Sequence, residues 1–544
     1  MDSPRGYLKL AWVIFLHLHL GTQLHAVDIT SKMTRICLFF FLLCNFSYYR
    51  PGTAELDWWQ TSVIYQIYPR SFKDSDGDGV GDLKGITSML DHFADIHVQA
   101  IWLSPIYESP MADFGYDISN FTAIDPIFGT MEDFDEMIEA MHERGIRLIM
   151  DFIPNHSSDQ HEWFLESRQN RTNDYANYYM WYDPNPECVD EGNEPEECPP
   201  NNWVSVFSGS AWEWEPMREQ FYLHQFLKEQ PDLNFRNQTV YQEMADAMEF
   251  WLKKGVDGFR VDAIKHLYEV EDVYQDEAPN PDYEPREGEQ QAQYDSLYHN
   301  LTTDFEEIHI VLRKFRQELL DPYSQDGRYR FMVTEAYSDI DILIRYYGTD
   351  DEPEADFPYN FELIPLNAEI LSGTQIHEMV DLWLQSVPEG RWPNFVLGNH
   401  DNSRIASRIG VEYLRAMNVM LLTLPGTPTT YYGEEIGMEN IWVSYNDTQD
   451  PYAKNNPCCW EEYTRDPERS PMQWTPDPPS AGFSETNETW LPVNENYQEG
   501  INVEDQKPER DPSSTMALYK LLAEERQKHK AIQQGTNRYG IVDE

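Results

Sequence analysis

The sequence predicts an α/β protein of the (β/α)8 TIM barrel class, with a subdomain inserted after the third barrel strand. Short apolar runs typical of buried strands alternate with amphipathic helical runs, and eight such units follow one another in the 544 residues. This alternation indicates parallel strands joined by helical crossovers. Charged residues also accumulate just after the predicted strands, where barrels of this class carry their functional residues.

The first three units are regular and are followed by a long irregular segment. The predicted strands are 63–68, 98–103 and 146–153, and the predicted helices are 84–94 and 131–143. From Asn155 to about Asn237 the sequence is rich in Asn, Pro, Trp, Tyr and Glu, without sustained periodicity. Because a structureless loop of this length is rare inside a compact domain, we interpret residues 155–237 as an inserted subdomain.

The alternation then resumes and completes the eight units. The later predicted strands are 256–261, 331–335, 355–362, 394–397 and 429–432, and the helices are 239–254, 302–320, 340–347, 375–385, 411–422 and 513–530. The barrel is therefore expected to cover residues 52–154 and 238–530. Residues 531–544 are expected to begin a C-terminal β domain that is otherwise cut short.

Residues 1–51 are interpreted as targeting sequence and not as part of the fold. Two apolar runs in tandem, 10–16 and 36–44, have the length of a signal-peptide core and are too short to span a bilayer. Met33, which precedes the second run, is the expected start of the protein. We therefore expect a secreted protein, with a membrane tether carried by a missing C-terminus as the alternative.

The cysteines and sequons agree with an extracellular location. Cys188 and Cys198 lie in one Pro- and Glu-rich loop, which predicts a disulfide in an oxidising compartment. The adjacent Cys458 and Cys459 could pair with each other only under strain. Six N-x-S/T sequons mark candidate glycosylation sites. They are Asn120, Asn170, Asn237, Asn300, Asn446 and Asn487.

The composition limits the possible ligands. With 40 Lys and Arg against 95 Asp and Glu, the net charge is −55, and such a field repels nucleic acid and anionic membranes. Aromatic residues make up 14% of the chain, which suits a protein that stacks flat apolar faces such as sugar rings, and equally suits a large core. Neutral substrates are therefore the expected ligands, and the oligomeric state is not predicted.

Three carboxylates, Asp262, Glu335 and Asp401, follow predicted strands four, five and seven and are expected to meet at the barrel mouth. Arg260 and Asp262 occupy positions i and i+2 of a strand, so they share a face. The guanidinium should keep Asp262 ionised, whereas apolar neighbours of Glu335 favour a protonated acid. An ionised carboxylate beside a protonated one is the pair that retaining glycoside hydrolysis requires.

Four sequence blocks, in this order, resemble the signature regions of the alpha-amylase superfamily of glycoside hydrolases. They are DFIPNH at 151–156, GFRVDA at 258–263, VTEA at 333–336 and FVLGNHD at 395–401. The QPDLN block at 230–234 resembles a fifth region, which marks the oligo-1,6-glucosidase and alpha-glucosidase branch. Over residues 55–530 the chain resembles secreted insect-type maltases.

The resemblance implies a retaining alpha-glucosidase that releases terminal alpha-1,4-linked glucose from maltose, sucrose and short oligosaccharides. Asp262 is the implied nucleophile, Glu335 the acid/base, and Asp401 the carboxylate that stabilises the transition state. The residues implied to hold the first glucose are Asp113, Tyr116, His156, Arg260 and His400, with Arg469 as a further sugar-binding arginine although Arg465 lies nearby. A small residue at Ala263 resembles enzymes that prefer alpha-1,4 links, so maltose is expected to be cleaved faster than isomaltose.

Two alternatives stay open. A transglucosylase of the same family would share the covalent intermediate and pass the glucose to another sugar. A catalytically silent protein would resemble the transporter heavy chains, which share this barrel and carry a long membrane helix. The second is disfavoured because the chain keeps all three carboxylates and has no apolar run of about 18 residues.

An acidic loop at 74–82 is a candidate cation site. Carboxylates at its first, third, fifth and ninth positions and a backbone carbonyl at its seventh suit a hard cation. These groups belong to Asp74, Asp76, Asp78, Asp82 and Val80. The loop is not an EF-hand, because Gly85 occupies the twelfth position. The branch resemblance implies a structural Ca²⁺ here and no organic cofactor, and a solvated acidic turn is the alternative.

Overall fold

A computed structural model describes residues 56–325 and 327–535. The predicted targeting segments lie outside this part of the chain, as do residues 536–544 of the expected C-terminal β domain. Near the end of the described chain, Lys530–Gln534 form a short helix. Within the described ranges no helix combines the length and the apolar character needed to cross a membrane.

Eight parallel strands form a nearly closed barrel, which confirms the predicted fold class. In chain order the strands are β1 Ile64–Ile67, β2 Ala100–Leu103, β3 Tyr107–Glu108, β4 Asn120–Ile124, β5 Arg147–Phe152, β6 Trp181–Tyr182, β7 Trp212–Glu215, β8 Gln220–Leu223, β9 Gly258–Val261, β10 Phe331–Thr334, β11 Phe357–Pro358, β12 Asn394–Val396 and β13 Thr427–Tyr431. The barrel strands pair in the order β11-β10-β9-β5-β2-β1-β13-β12. Apart from Arg147 their residues are all buried, because helices cover the outside and side chains fill the inside.

The helices surround the barrel and connect its strands. In chain order they are α1 Trp58–Thr61, α2 Leu83–Ser88, α3 Leu90–Asp95, α4 Met131–Glu143, α5 Glu162–Ser167, α6 Pro186–Asp190, α7 Gln238–Lys254, α8 Glu307–Lys314, α9 Asp321–Ser324, α10 Ile340–Leu343, α11 Gly373–Ser386, α12 Ile405–Ile409, α13 Val411–Thr423, α14 Pro451–Asn455, α15 Trp460–Tyr463, α16 Val503–Gln506, α17 Thr515–Lys528 and α18 Lys530–Gln534. The long α7 ends at Gly255, whose left-handed φ of 103° lets the chain turn directly into β9.

Three predicted elements differ from the observed ones. The helix expected at 84–94 is split into α2 and α3, which meet at Met89. The helix expected at 302–320 begins only at Glu307 and continues as a π-helical segment, Phe315–Leu320. The strand expected at 355–362 is reduced to β11, because Pro358 lacks the N–H that a longer ladder needs.

Side chains take the place of a strand pair between β11 and β12. Asn360 donates its backbone N–H to Oδ1 of Asn394 at 2.9 Å and its side-chain amide to the Asn394 carbonyl at 3.1 Å. Asn394 in turn donates to the carbonyl of Pro358. Both asparagines are fully buried, so these contacts satisfy the backbone groups that the missing ladder leaves without partners.

The segment between β5 and α7 carries a separate small sheet. Its strands β6, β8 and β7 are antiparallel, with β8 in the centre, and their apolar side chains pack with Met180 and Trp203 in a cluster of their own. Cys188 and Cys198 form the predicted disulfide here, with an S–S distance of 2.02 Å. Elsewhere in the chain Cys458 and Cys459 are bonded to each other.

The sequon asparagines differ in accessibility. Four of them are exposed, namely Asn170, Asn300, Asn446 and Asn487. Asn120 is half-buried within β4, and Asn237 is half-buried because its side chain accepts from the Thr239 N–H as the N-cap of α7. All six stay predictions as glycosylation sites, and the exposed four offer the freer side chains.

We expect Asn394→Ala to destabilise the barrel by roughly 2–5 kcal/mol, because the Asn360 N–H and the Pro358 carbonyl would lose their buried partners. Urea unfolding followed by tryptophan fluorescence measures the change. Asn193→Ala is the control, since exposed Asn193 also donates to a backbone carbonyl, that of Cys188, and should shift the midpoint little. Equal shifts for the two variants would contradict the role of the buried pair.

Candidate active site

The carboxyl ends of the barrel strands open into one cavity of about 780 Å³. The predicted residues that line it are Asp113, Tyr116, His156, Asp262, Glu335, His400 and Asp401. Further lining residues come from the inserted segment and from the long excursions after β9 and β13, among them Phe207, Gln230, Tyr294, Tyr452, Glu462, Tyr463 and Arg465. The predicted Arg260 and Arg469 are buried behind this lining and do not face the cavity.

Two strand ends place Asp262 and Glu335 next to each other. The Asp262 N–H donates to the Phe152 carbonyl and the Glu335 N–H to the Val261 carbonyl, both at 2.9 Å, so each residue is held by the neighbouring strand. Ala263 then adopts a left-handed φ of 47°, and its N–H donates to Oε2 of Glu335 at 2.9 Å. The turn at Ala263 therefore fixes one carboxylate relative to the other.

One buried guanidinium is shared by three carboxyl groups. Arg260 Nη1 lies 2.9 Å from Oδ1 of Asp151 and also contacts Asp262, and its Nη2 lies 3.7 Å from Oε2 of Glu335. The predicted pair of Arg260 and Asp262 is thus present, whereas Asp151 had no predicted role. The expectation of apolar surroundings for Glu335 is wrong, because its carboxylate lies near the Arg260 guanidinium and accepts a hydrogen bond from the Ala263 N–H.

The ionisation of this cluster differs from the expectation for Asp262. Burial raises the pKa of Asp262 well above its usual range, Arg260 opposes the change, and Glu335 and Asp151 reinforce it. Burial likewise raises the pKa of Asp151 to about 6, against the lowering effect of Arg260. Arg260 therefore only partly offsets the cost of burying the carboxyl groups of Asp151 and Asp262.

A neutral histidine connects this cluster to the cavity. Gln66 Nε2 donates to Nδ1 of His400 at 2.8 Å, so the ring proton lies on Nε2, which donates to the Tyr116 hydroxyl at 2.6 Å. Tyr116 in turn donates to Oδ2 of Asp151 at 3.0 Å. The His400 ring is stacked between Tyr116 and Tyr68. Burial lowers the pKa of His400 to about 3, which keeps the ring neutral.

Asp401 lies between two arginines. Its Oδ1 is 2.9 Å from Arg469 Nη2 and 3.2 Å from Arg465 Nη1. Burial by itself would raise the pKa of Asp401, but the positive charges of Arg465 and Arg469 outweigh it and hold the pKa well below its usual range. Asp401 therefore favours its ionised form, in contrast to Asp151 and Asp262.

The cavity-facing arginine is Arg465 and not the predicted Arg469. Arg465 Nη2 lies 2.8 Å from Asp113, while Asp450 binds the same guanidinium from behind at 2.8 and 2.9 Å. Arg469 instead donates its Nε to the His400 carbonyl and supports Asp401. Both arginines lie close together in the sequence, and their spacing alone does not determine which guanidinium faces the cavity.

The QPDLN block packs against His156. Gln230 Nε2 lies 3.1 Å from Nε2 of His156, whose other ring nitrogen lies 3.3 Å from the Asn155 amide. Asp232 accepts from Asn155 and from Gln225, so the block joins the end of β5 to the inserted segment. Burial lowers the pKa of His156 to about 4, which leaves a neutral donor and acceptor at the cavity wall.

The acidic loop at 74–82 brings three of its predicted ligands together. Carboxylate oxygens of Asp74, Asp76 and Asp78 lie within 4.8 Å of one another. Asp82 is used differently: its carboxylate accepts from Ser75 and from the Gly85 N–H, as the N-cap of α2. Carboxylate oxygens are the ligands that a hard cation prefers, and these three would supply part of its coordination shell.

Comparison with known proteins connects this geometry to a family. A model of the alpha amylase catalytic domain matches residues 66–535. Maltase 1 of Drosophila virilis is 48% identical over 456 residues, which cover 82% of this chain and 69% of that protein. The amino acid transporter heavy chain SLC3A1 of Homo sapiens is 46% identical over 471 residues, 86% of this chain, and the chain spans 64% of that protein's length.

A solved structure supports the same relationship. The crystal structure of the alpha-glucosyl transfer enzyme XgtA superposes with a TM-score of 0.79 at 37% identity, covering 89% of this chain and 86% of that one. The family match thus extends over nearly all of the barrel and includes the four blocks whose residues meet in the cavity. The chain belongs to the alpha-amylase family of glycoside hydrolases.

Proposed function

We propose that the protein is a retaining alpha-glucosidase that releases glucose from the non-reducing end of maltose, sucrose and short alpha-glucosides. The observation that carries this proposal is the pairing of Asp262 and Glu335 through the turn at Ala263, with Arg260 behind both. An acid and a nucleophile side by side are the requirement for retention. The relationship to Maltase 1 supports the substrate class.

In the proposed first step Asp262 attacks the anomeric carbon while Glu335 protonates the glycosidic oxygen. The bond to the leaving sugar breaks, and glucose remains esterified to Asp262. Glu335, now ionised, takes a proton from water, and the oxygen of that water attacks the anomeric carbon and releases Asp262. The net result is hydrolysis with the α configuration retained.

The charges around the anomeric carbon bear on these roles. Burial raises the pKa of Asp262 well above its usual range, whereas the proposed attack needs Asp262 in its ionised form. A sugar that develops positive charge at its anomeric carbon favours an ionised Asp262 beside it. Asp401, whose pKa the neighbouring arginines hold well below its usual range, would stabilise the same charge.

The polar residues around this pair suit a single glucose. Arg465 and Asp113 form a 2.8 Å ion pair at the cavity wall, and neutral His400 and His156 offer donors and acceptors without net charge. Sugar hydroxyls are recognised by such mixed donors and acceptors. We therefore assign these residues to the glucose that becomes attached to Asp262.

Transfer of glucose to another sugar is the second candidate, and the likeness to the glucosyl-transfer enzyme XgtA favours it. Both reactions share the glucosyl-enzyme, and they differ in whether water or a sugar attacks it. Products formed at high maltose concentration distinguish them. The heavy-chain likeness supports the fold, whereas the intact set of Asp262, Glu335 and Asp401 supports an enzyme.

We also propose that the protein is secreted and acts on neutral alpha-glucosides outside the cell. The signal-like run at 36–44, the Cys188–Cys198 disulfide and the exposed sequons support this location. The net charge of −55 argues against nucleic acid as a partner.

We expect Asp262→Asn to lower kcat on maltose by about 10³-fold or more, because an amide cannot form the glucosyl ester. Release of glucose from maltose, sucrose and isomaltose is the assay, and maltose should be cleaved faster than isomaltose because Ala263 is small. Asp183→Asn is the control, since this exposed carboxylate lies in the inserted segment and should leave the rates unchanged. Equal activity of wild type and Asp262→Asn would overturn the assignment.

For the loop at 74–82 we propose a structural Ca²⁺ held by Asp74, Asp76 and Asp78. Burial raises the pKa of Asp78, and the negative charges of the neighbouring aspartates raise it further. A bound cation would neutralise these charges. It would order the loop and take no part in the reaction.

Calorimetry tests the cation proposal. Chelated protein titrated with Ca²⁺ should give saturable heat, and Asp76→Asn should weaken binding by about tenfold or more because one anionic ligand is lost. Asp91→Asn, which alters an exposed carboxylate on α3, is expected to bind Ca²⁺ like the wild type. Absence of heat from the wild-type protein would rule out the site.

A further inference from the structure

Two excursions from the barrel meet at the outer wall of the cavity. One is the loop 270–300 after β9, and the other is the segment 448–465 after β13. Arg286 of the loop lies 2.7 Å from Oε2 of Glu462 through its Nε, and its Nη1 donates to the Tyr463 hydroxyl at 2.6 Å. The guanidinium also lies over the Tyr463 ring, 5.2 Å from its centre. Glu462 and Tyr463 both line the cavity.

This contact, which we call the latch, continues inward as a wall of rings. Tyr463 packs on Tyr452 with 4.8 Å between ring centres, and Tyr452 packs on Phe207 of the inserted segment at 5.1 Å. The Arg465 guanidinium lies 4.9 Å from the centre of the Phe207 ring. A continuous series of packing contacts therefore leads from the latch to the end of the cavity where Arg465 pairs with Asp113.

The bases of the two excursions are fixed independently of the latch. Gln293 Nε2 donates to Oδ1 of Asn456 at 2.8 Å, Asn456 donates to Oγ of Ser208 at 3.0 Å, and Ser208 donates to Gln293 at 2.8 Å. All three residues are buried, and they join the loop, the segment and the inserted segment. Loss of the exposed latch would therefore free the tips and leave the bases in place.

The latch lies at the mouth and not at the floor of the cavity. Asp262 and Glu335 are 9% and 8% exposed, whereas the side chains of Arg286 and Glu462 are 41% and 58% exposed. With the reacting glucose at the floor, the leaving portion of the substrate extends toward the mouth. Arg286 thus bridges the wall at the place where the second and later sugars of an oligosaccharide would pass.

We propose that Arg286 determines substrate length: its latch onto Glu462 and Tyr463 narrows the leaving-group side of the cavity and restricts the enzyme to short alpha-glucosides. The inference rests on the proposed alpha-glucosidase function and identifies the residue that sets its substrate range. Arg286 touches neither reacting carboxylate, so it acts on access and not on the chemical step. Maltose, which needs one sugar beyond the glucose site, should be handled equally well with the latch open.

The test compares kcat/KM on maltose and on maltoheptaose for Arg286→Ala. We expect the maltoheptaose-to-maltose ratio to rise about threefold or more, with maltose itself unchanged within about twofold. Arg510→Ala is the matched control, because Arg510 is 51% exposed and pairs with Glu504 and Asp505. An unchanged or lowered ratio in Arg286→Ala, or an equal rise in Arg510→Ala, would overturn the proposal.

Charge reversal separates the latch from a general effect on the loop. Arg286→Glu should raise the ratio as Arg286→Ala does, and the double variant Arg286→Glu/Glu462→Arg should restore it toward the wild-type value. Failure of the double variant to restore the ratio, with the single variant altered, would place the effect elsewhere than in this ion pair.

Sugar binding measured in the absence of turnover tests the role of Arg286 independently of the proposed glucosidase activity. In an Asp262→Asn background, the ratio of Kd values for maltose and maltoheptaose should shift toward the longer sugar when Arg286 is replaced by Ala, and not when Arg510 is. If the wild-type protein cleaves no glucoside, the proposed function fails while this binding ratio still decides the role of Arg286. If maltose is cleaved and neither ratio moves, the function stands and the latch proposal fails.

Discussion

The site depends on one buried cation shared by three carboxyl groups. Arg260 contacts Asp151 and Asp262 and approaches Glu335, and these residues come from or follow three adjacent barrel strands, β5, β9 and β10. Burying the guanidinium without anions would cost several kcal/mol, and burying the carboxyl groups without it would cost more. The strand ends can therefore come together only because Arg260 is shared among these carboxyl groups.

The shared charge creates two kinds of carboxyl group within one cavity. Around Arg260 there are too few cations, so burial dominates and the pKa values of Asp151 and Asp262 rise. Around Asp401 there are two arginines, and its pKa falls. A site that raises the pKa of some carboxyl groups and lowers that of another is suited to acid catalysis beside a developing cation.

Much of this arrangement could be predicted from the sequence, because strand ends in a (β/α)8 barrel share one face. Asp262, Glu335 and Asp401 meet as expected, since their positions follow from strand order alone. The inward orientation of Arg465 could not be predicted, because it depends on Asp450 holding the guanidinium from behind, far from the strands. The sharing of Arg260 with Asp151 was also missed, because a contact between β5 and β9 is not visible in the spacing of either block.

The proposed mechanism requires a covalent bond between Asp262 and glucose, and none between Asp401 and glucose. Incubation with 5-fluoro-α-D-glucosyl fluoride, which slows release of the glucosyl-enzyme, followed by peptic digestion and tandem mass spectrometry, identifies the labelled residue. We expect a single fluoroglucosyl ester on the peptide that contains Asp262 and none on the peptide that contains Asp401. A label on Asp401 or Glu335, or turnover of maltose with no label at Asp262, would contradict it.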